Sequence, residues 1–331
     1  MRYTLSALAL AAAIASPSVA QAHNLVLTND DGLTSNVLAL YEALTAAGHD
    51  VVVSVPCTNQ SGMGAALTIS QPLVPLQQPC LNGAASPGDP GAGPMTRAGL
   101  PEGDFFYVNG TPVMALLQGI EVAGKERWGA DPDLVLSGPN EGQNVGAIIL
   151  SSGTVSNAQV AAIRGIPAIA LSAGSNTESA TLDNPLSAEV ARRSVELLAA
   201  LEDNAGEGPL LPQGIALNVN FPDEIERAGW QLSRIGTYNA YKVGFTSNMA
   251  QSASPTMQAM ARQRGMEVPP LPGISFDMNQ DPPSPEQADD ESVVYRSAIS
   301  VSPMQAGYEA AAAAEAFLSW QLAELLPSPA E

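Results

Sequence analysis

Short apolar runs that end in polar or glycine-rich loops recur along the chain and predict the strands of a sheet. These runs occupy residues 25–28, 51–55, 105–108, 133–138, 166–172 and 214–222, with further strands at 230–235 and 297–302. Such nearly continuous Val, Ile and Leu runs are typical of parallel strands buried on both faces. Apolar residues at helical spacing predict helices between them, at 37–47, 113–120, 155–162 and 187–201. The alternation predicts an α/β fold with a mostly parallel, doubly wound sheet.

Two stretches interrupt this alternation. Residues 76–101 are dense in Gly, Pro, Ala and Ser, which predicts a loop or insertion that is not a packed element. Residues 239–290 are polar, proline-rich and dotted with Met, and we interpret them as an excursion made of a hairpin arm and a loop. An alanine-rich helix is expected at 307–326.

The first residues have the pattern of a secretory signal. Arg2 supplies a charged start, residues 5–14 form an apolar segment, and residues 20–22 (AQA) fit the small-x-small cleavage rule. Cleavage after Ala22 would leave one domain, residues 23–331, exported to a periplasm or secreted, with no membrane span. In an oxidising compartment a disulfide between Cys57 and Cys80 is expected, with two separate buried thiols as the alternative.

The net charge of −20 argues against a nucleic-acid-binding surface, which needs a basic stripe. It also does nothing to attract an anionic substrate, so phosphate chemistry here would need a local cation. His23, His49 and the two cysteines lack the short paired spacings of a zinc cluster. His49 is expected at the surface or at a helix end and not as a ligand.

Candidate chemistry begins where the first strand ends. Residues 25–32 read LVLTNDDG, so Asp30 and Asp31 stand at the carboxyl end of a strand, where ligands bind in open α/β sheets. Two interpretations fit this pair. Asp30 caps the next helix while Asp31 is solvated, or the two carboxylates share a divalent cation.

Two further strands end in loops of the same kind. Ser61 follows the second strand in a loop of hydroxyl, amide and glycine residues, and Asn140 follows the strand at 133–138. Neighbouring parallel strands bring such loops together, so these side chains and the aspartates are expected at one site. Oxygen donors suit Mg²⁺, Mn²⁺ or Ca²⁺. Two carboxylates leave room for substrate oxygens, the layout for metal-assisted hydrolysis of a phosphate ester.

The sequence resembles the SurE family of 5'/3'-nucleotidases, also called survival protein SurE. Four motifs carry the resemblance: LVLTNDDG at 25–32, NQSG at 59–62, SGPNEGQNVG at 137–146 and SGTV at 152–155. Weaker similarities are NGTP at 109–112, NVNFP at 218–222 and SVSP at 300–303. Each motif alone is common, but together they are specific and span most of the predicted mature chain.

The resemblance implies a Rossmann-like core and a phosphatase that hydrolyses nucleoside monophosphates with Mg²⁺ or Mn²⁺. The family's metal ligands fall on four residues: Asp30, Asp31, Ser61 and Asn140. Its phosphate-side residues fall on four more: Asn144, Ser152, Gly153 and Thr154. It also implies a homodimer or higher homo-oligomer, in which the hairpin and the C-terminal helix pack between subunits. Asp30 or Asp31 is the candidate catalytic carboxylate, with attack by a carboxylate or by water left open.

Several positions depart from the family's usual residues. Thr58, Pro139, Ser151 and Ser297–Ala298 replace an arginine, an isoleucine, a tyrosine and a Gly-Tyr pair. These changes leave the predicted metal ligands intact and put nucleotide preference in question. The alternative functions are an exported metal- or ligand-binding protein without turnover, and a dinucleotide enzyme. The second is disfavoured because no Gly-x-Gly-x-x-Gly follows the first strand.

Overall fold

The computed structural model describes residues 22–206, 208–263, 265–323 and 325. The predicted signal peptide, residues 1–22, lies outside these residues apart from Ala22, so the cleavage site stays a prediction. The end of the predicted C-terminal helix, beyond residue 325, also lies outside them.

A nine-stranded, mostly parallel sheet forms the centre of the fold, in the order β3-β4-β2-β1-β5-β6-β7-β11-β8. Strands β4 to β7 in this order run parallel, β3 and β11 are antiparallel to their neighbours β4 and β7, and β8 is parallel to β11. Their bounds are β1 Asn24–Thr28, β2 Asp50–Pro56, β3 Ala92–Pro94, β4 Phe105–Val108, β5 Leu134–Glu141, β6 Ala168–Ala173, β7 Ile215–Asn220, β8 Trp230–Leu232 and β11 Ile299–Gln305. The predicted α/β class and mostly parallel sheet are confirmed.

Helices cover both faces of the sheet. Their bounds are α1 Ser35–Ala46, α2 Pro112–Gln118, α3 Lys125–Trp128, α4 Gly153–Ile163, α5 Pro185–Ala205, α6 Pro255–Gln263, α7 Glu291–Val294 and α8 Ala312–Gln321. A π-helical turn, Gly119–Gly124, joins α2 to α3, so the predicted helix at 113–120 continues to Trp128. Among the described residues, no helix combines the length and apolar character needed to cross a membrane.

Alternating residues of the central strands build two apolar cores. Leu25 and Leu27 of β1 point to the side where α1 and α5 pack, with Leu40 among their buried neighbours. Val26 points to the other side and shares a core with Val155 at the start of α4. Burial on both faces explains why the central strands lack a polar alternation.

The insertion at 76–101 is packed, so the prediction of an unpacked loop is wrong. Ala85 is fully buried in the core beside α1, and β3 adds an antiparallel edge strand next to β4. A disulfide joins Cys57, directly after β2, to Cys80, which confirms the predicted pairing. The Gly- and Pro-rich composition hid this packing because it carries no apolar periodicity.

The excursion at 239–290 contains an antiparallel hairpin, as predicted. Strands β9 Tyr241–Thr246 and β10 Gly273–Met278 pair with each other outside the main sheet, and α6 lies between them in sequence. Phe245 on β9 is 77% exposed, and Trp320 on α8 is 74% exposed. The excursion and the C-terminal helix therefore present large apolar side chains on the surface of the chain.

Candidate active site

The sheet brings three of the predicted loops together. Because β1 lies between β2 and β5, the loops at the carboxyl ends of these strands are neighbours. The Asn59 amide Nδ2 donates a hydrogen bond to Asp31 Oδ1 at 2.7 Å, and the Glu141 backbone N–H donates to Asp31 Oδ2 at 3.1 Å. The Gln60 N–H also donates to the Asp30 carbonyl at 2.7 Å. The predicted convergence of the first, second and third loops is confirmed.

The turn after β1 is held by Asn29, and it buries both aspartates. Asn29 Nδ2 donates to the Gly32 carbonyl at 2.8 Å, and Asn29 Oδ1 accepts from the Gly32 N–H at 3.1 Å. Asp30 and Asp31 are 2% and 3% exposed, and the N-cap of α1 is Thr34. The interpretation in which Asp30 caps the next helix and Asp31 is solvated is therefore wrong.

Asp31 is bound by neutral donors. Both of its carboxylate oxygens accept hydrogen bonds, one from the Asn59 amide and one from a backbone N–H. Burial raises the pKa of Asp31 well above its ordinary value, and the neighbouring carboxylates of Asp30 and Glu141 raise it further. The charged form of Asp31 is thus disfavoured until a cation offsets it.

Asp30 is held by the start of α4. Its Oδ2 accepts from the Gly153 N–H at 3.0 Å, and its Oδ1 accepts from the Thr154 hydroxyl at 2.5 Å. Burial is the largest influence on the pKa of Asp30 and raises it, although the hydrogen bonds from Thr154 and Gly153 act in the opposite direction. A side chain at Gly153 would lie 2.6 Å from Asp30 Cβ and 2.6 Å from Pro112 Cγ, so only glycine fits this approach.

Ser61 and Asn140 complete the predicted metal ligands. Ser61 lines a cavity of about 400 Å³ together with Asp31, Asn59, Glu141 and Glu178. Asn140 lies at the end of β5, where its Nδ2 donates to the Gly142 carbonyl at 2.7 Å. Its Oδ1 is buried and accepts no hydrogen bond from the described residues.

These donors fit a hard divalent cation. The set comprises two carboxylates, a hydroxyl and an amide oxygen, and all three types of oxygen ligand suit Mg²⁺, Mn²⁺ or Ca²⁺. The buried Oδ1 of Asn140 has lone pairs to offer, and the partners of both aspartates are neutral. Within the described part of the chain, no group of three or more His, Cys, Asp or Glu is arranged to hold a metal ion. The predicted site would rely equally on neutral oxygens, and its metal contacts stay a prediction.

The four predicted phosphate-side residues make contacts within the protein. Ser152 is the N-cap of α4, where its Oγ accepts from the Val155 N–H, and the donors of Gly153 and Thr154 are paired with Asp30. Asn144 Nδ2 donates to Ser172 Oγ at 3.0 Å. Their contact with a phosphate group stays a prediction.

Sequence reasoning missed two glutamates near these loops. Glu141 lines the cavity with Asp31, and burial, followed by the charge of Glu178, raises its pKa to about 7. Its place inside the third motif, next to Asn140, was the available signal. Glu291 is fully buried and accepts a hydrogen bond from the Gly146 N–H, although it lies far away in sequence. No local pattern marks Glu291.

A second cavity, of about 340 Å³, borders the same loops. It is lined mainly by apolar side chains of the segment that precedes α4 and of the hairpin, including Val145, Leu150, Tyr241 and Val243. Its lining also includes Ser151, the residue directly before the N-cap of α4. It therefore offers an apolar surface close in sequence to the start of α4.

Comparisons with known proteins point in one direction. Residues 25–242 match the family described as Survival protein SurE. The 5'-nucleotidase SurE of Thermosipho melanesiensis is 33% identical over 213 residues, covering 64% of this chain and 70% of that protein. An acid phosphatase of Yarrowia lipolytica is 33% identical over 206 residues, covering 60% of this chain and 56% of that protein.

The fold agrees with these matches. The crystal structure of SurE protein from Aquifex aeolicus superposes with a TM-score of 0.62 at 27% identity, covering 91% of this chain and 99% of that chain. The family match includes all four predicted metal ligands and all four predicted phosphate-side residues. The chain belongs to the SurE survival protein family.

Proposed function

We propose that the chain is a divalent-metal-dependent phosphomonoesterase that hydrolyses nucleoside monophosphates to nucleosides and phosphate. The chain is a hydrolase of the phosphatase class, in keeping with relatives named 5'-nucleotidase and acid phosphatase. The observation that carries the metal dependence is the buried Asp30–Asp31 pair, whose hydrogen-bond partners are neutral, together with the buried Oδ1 of Asn140, to which no described residue donates a hydrogen bond.

Asp30, Asp31, Ser61 and Asn140 would hold the cation, with Mg²⁺ or Mn²⁺ preferred and Ca²⁺ an alternative. When bound, a divalent cation supplies Lewis-acid stabilisation of the negative charge on the phosphate group during transfer. The net charge of −20 supports this assignment, because the protein as a whole repels a phosphate ester.

The chain's own residues fix the two carboxylates before a substrate arrives. The Gly153 N–H and the Thr154 hydroxyl orient Asp30, while Asn59 and the Glu141 N–H orient Asp31. Such preorganisation lowers the reorganisation needed in the transition state. The nucleophile that attacks phosphorus is one of the two aspartates or a water molecule. The leaving alcohol takes its proton from water or from a carboxyl group.

The apolar cavity beside α4 supports an organic leaving group. Tyr241 and Val243 face this space from the hairpin, and Leu150 faces it from the segment that leads into the site. A nucleoside offers a planar base that such a surface can cover. The departures at Thr58 and Ser151 leave a broader range of monoesters as the alternative to strict nucleotide specificity.

The test is an activity panel on the mature chain after treatment with a chelator. AMP and p-nitrophenyl phosphate are assayed without metal and with added Mg²⁺, Mn²⁺ or Ca²⁺. We expect phosphate release only after a cation is restored, and loss of that release in Asp30→Asn. Asp133→Asn is the matched control, since Asp133 directly precedes β5 and so lies at the amino ends of the strands, away from the site. Full activity of Asp30→Asn would contradict the assignment.

An exported metal- or ligand-binding protein without turnover is the second candidate. It is favoured by the pairing of the Gly153 and Thr154 donors with Asp30, because a phosphate group would have to share or replace those contacts. Calorimetric binding of Mn²⁺ and AMP by a protein that releases no phosphate from any substrate in the panel would support this candidate over the enzyme.

Export and self-association are part of the proposal. The disulfide between Cys57 and Cys80 supports an oxidising compartment, in line with the predicted signal peptide. The exposed Phe245 and Trp320 support burial of the hairpin and the C-terminal helix against another copy of the chain. Light scattering tests the second point, and a monomer at micromolar concentration would contradict it.

A further inference from the structure

We propose that Glu291 is a positioning residue of the candidate active site, which holds residues 144–146 in place through its ionised carboxylate. This inference rests on the proposed function for its catalytic consequence, but its structural part is independent of that function.

The Glu291 carboxylate is surrounded by hydrogen-bond donors. Oε1 accepts from the Gly146 N–H at 2.9 Å, and Oε2 accepts from Asn218 Nδ2 at 2.9 Å. Ser302 on β11 also faces the carboxylate and counteracts the rise in its pKa, and the Ser302 hydroxyl lies 2.8 Å from that of Ser233. The side chain is fully buried, so water does not compete for these contacts.

The same contacts extend to Asn144. Asn218 Nδ2 also donates to the Asn144 carbonyl at 2.9 Å. Asn220 Nδ2 donates to that carbonyl at 3.0 Å, and Asn220 Oδ1 accepts from the Asn144 N–H at 2.8 Å. Glu291 and two asparagines of β7 therefore hold the backbone of residues 144–146 on both sides of Val145.

This segment connects two parts of the site. Asn140, a predicted metal ligand, precedes it, and Ser152 and Gly153, which begin α4, follow it. The base of the excursion also contacts it, since Asn239 Oδ1 accepts from the Ala147 N–H at 2.8 Å. Gly146 allows this close approach, because a side chain there would lie 2.8 Å from Ser292 Oγ and 3.0 Å from the Tyr238 carbonyl.

The ionised form of Glu291 is the form that matches these donors. A carboxylate only accepts, whereas a protonated carboxyl or an amide places a hydrogen against an N–H that already donates. Facing Glu291 are the Gly146 N–H, Asn218 from β7, Ser302 from β11 and the carboxylate of Asp290. Burial raises the pKa of Glu291 to about 7, and Asp290 adds to this effect.

The contact is therefore expected to change near neutral pH. Below about pH 7 the carboxyl is protonated, so one of the two N–H donors faces a hydroxyl oxygen, a weaker acceptor than a carboxylate, and residues 144–146 gain freedom. Above that pH the ionised group accepts from both the Gly146 N–H and Asn218 Nδ2. A displacement on the order of 1 Å at a catalytic group costs about 10²-fold in rate. We therefore expect greater motion of residues 144–146 to lower the rate of phosphate release.

Amide hydrogen exchange on the unmodified mature chain tests the structural part. Protection factors for residues 142–150, corrected for the intrinsic pH dependence of exchange, are measured at pH 6.0 and pH 8.5. We expect about tenfold greater protection at pH 8.5, with no such change in the β2 segment. Equal protection at the two pH values would overturn the proposal, whatever the protein's activity.

Glu291→Gln tests the catalytic consequence, with Glu286→Gln, an exposed glutamate five residues earlier in the chain, as the matched control. Turnover of p-nitrophenyl phosphate with Mn²⁺ is measured at both pH values. We expect Glu291→Gln to lose about tenfold or more in kcat at pH 8.5 and much less at pH 6.0, while the control follows the wild type.

A folded Glu291→Gln with wild-type kcat at pH 8.5, or with the same loss at both pH values, would overturn a positioning role. If Glu291→Gln does not fold, the hydrogen-exchange result on the wild type decides. If the wild type releases no phosphate, the proposed function fails, while the exchange experiment still decides on Glu291.

Discussion

The two ends of β1 both carry buried ionisable side chains, but these differ in what surrounds them. At the carboxyl end, Asp30 and Asp31 accept hydrogen bonds from neutral amides and a hydroxyl. At the amino end, His23 Nε2 lies 3.4 Å and His49 Nε2 lies 3.7 Å from the same oxygen of Glu202. His49 is 7% exposed and its backbone N–H donates to the Leu44 carbonyl at the end of α1, so of the two predicted places, the surface or a helix end, the helix end is the one observed.

The comparison separates a cluster that can balance its own charge from one that cannot. Burial raises the pKa of Glu202, and the charge of His23 beside it acts in the opposite direction. The rings of His23 and His49 stack with centroids 5.9 Å apart. Among the residues that the structure describes, neither aspartate accepts a hydrogen bond from a charged side chain. The carboxyl end is therefore the end that calls for an external cation, and four predictions test this difference.

The largest expected effect is a loss of phosphatase activity on substitution at the carboxyl end of β1, compared with substitution at its amino end. We expect Asp31→Asn to lower cation-dependent phosphatase activity by about 10³-fold, since several kcal/mol of charge stabilisation is at stake. His49→Gln should stay within about twofold of the wild type. Initial rates with AMP at saturating Mn²⁺ measure both, and comparable losses in the two variants would remove the distinction between the ends.

The disulfide stabilises the carboxyl end, where Cys57 begins the loop that carries Asn59 and Ser61. Replacing both cysteines by serine (Cys57→Ser with Cys80→Ser) opens the loop that the disulfide closes between two residues 23 positions apart. Chain entropy then predicts a loss of about 3 kcal/mol in the free energy of unfolding. Urea unfolding of the oxidised wild type and the double variant gives the value. A difference below about 1 kcal/mol would mean that packing of the insertion suffices.

A cation should stabilise the carboxyl end without any substrate. At a Mg²⁺ or Mn²⁺ concentration 100 times Kd, linkage predicts a gain of about 2.7 kcal/mol. Calorimetric melting with and without the cation measures this gain, and Asp31→Asn is expected to lose most of it. A wild type whose Tm ignores both metals would argue against a cation site, whereas an equal gain in Asp31→Asn would place the cation elsewhere.

The smallest effect concerns acid sensitivity at the amino end. Burial, and then the charge of His23, lower the pKa of His49. Its stabilisation is complete above the unfolded pKa of about 6.5 and is lost as the pH falls through the lower folded pKa. His49→Gln should therefore lose slightly less stability than the wild type between pH 7 and pH 5. Parallel melting curves for the two proteins would show that His49 does not contribute.

The sequence predicted the parts of the fold and site that rest on local patterns. The apolar runs of β1, β2 and β5 each end within a few residues of a candidate ligand. Asp30 follows the first run, Ser61 the second and Asn140 the third. The same pattern therefore predicted both the strand ends and the candidate ligands. Boundaries were less exact. For example, the last strand is Ile299–Gln305 and not 297–302, because antiparallel pairing with β7 extends it past Pro303.

Contacts between distant segments left no such signal. Glu291 binds the Gly146 N–H across 145 positions of sequence. His23 and His49 meet because β1 and β2 pair from their first residues, Asn24 and Asp50. Ala85 is buried although its neighbours are small residues typical of loops. Periodicity reports what a segment does on its own, and these features depend on which segments the topology places side by side.

The position of β1 in the middle of the sheet has a consequence for biosynthesis. One edge of β1 pairs with β2, which follows soon after it, but the other pairs with β5, where Leu25 faces Leu134. At translation rates of 5–20 residues per second, that second edge stays open for about 5–20 s. Unpaired strand edges promote association between chains. When a ribosome stalls before β5 is made, the unpaired edge of β1 stays exposed beside Asp30 and Asp31. Nascent copies of the chain would then associate through this edge.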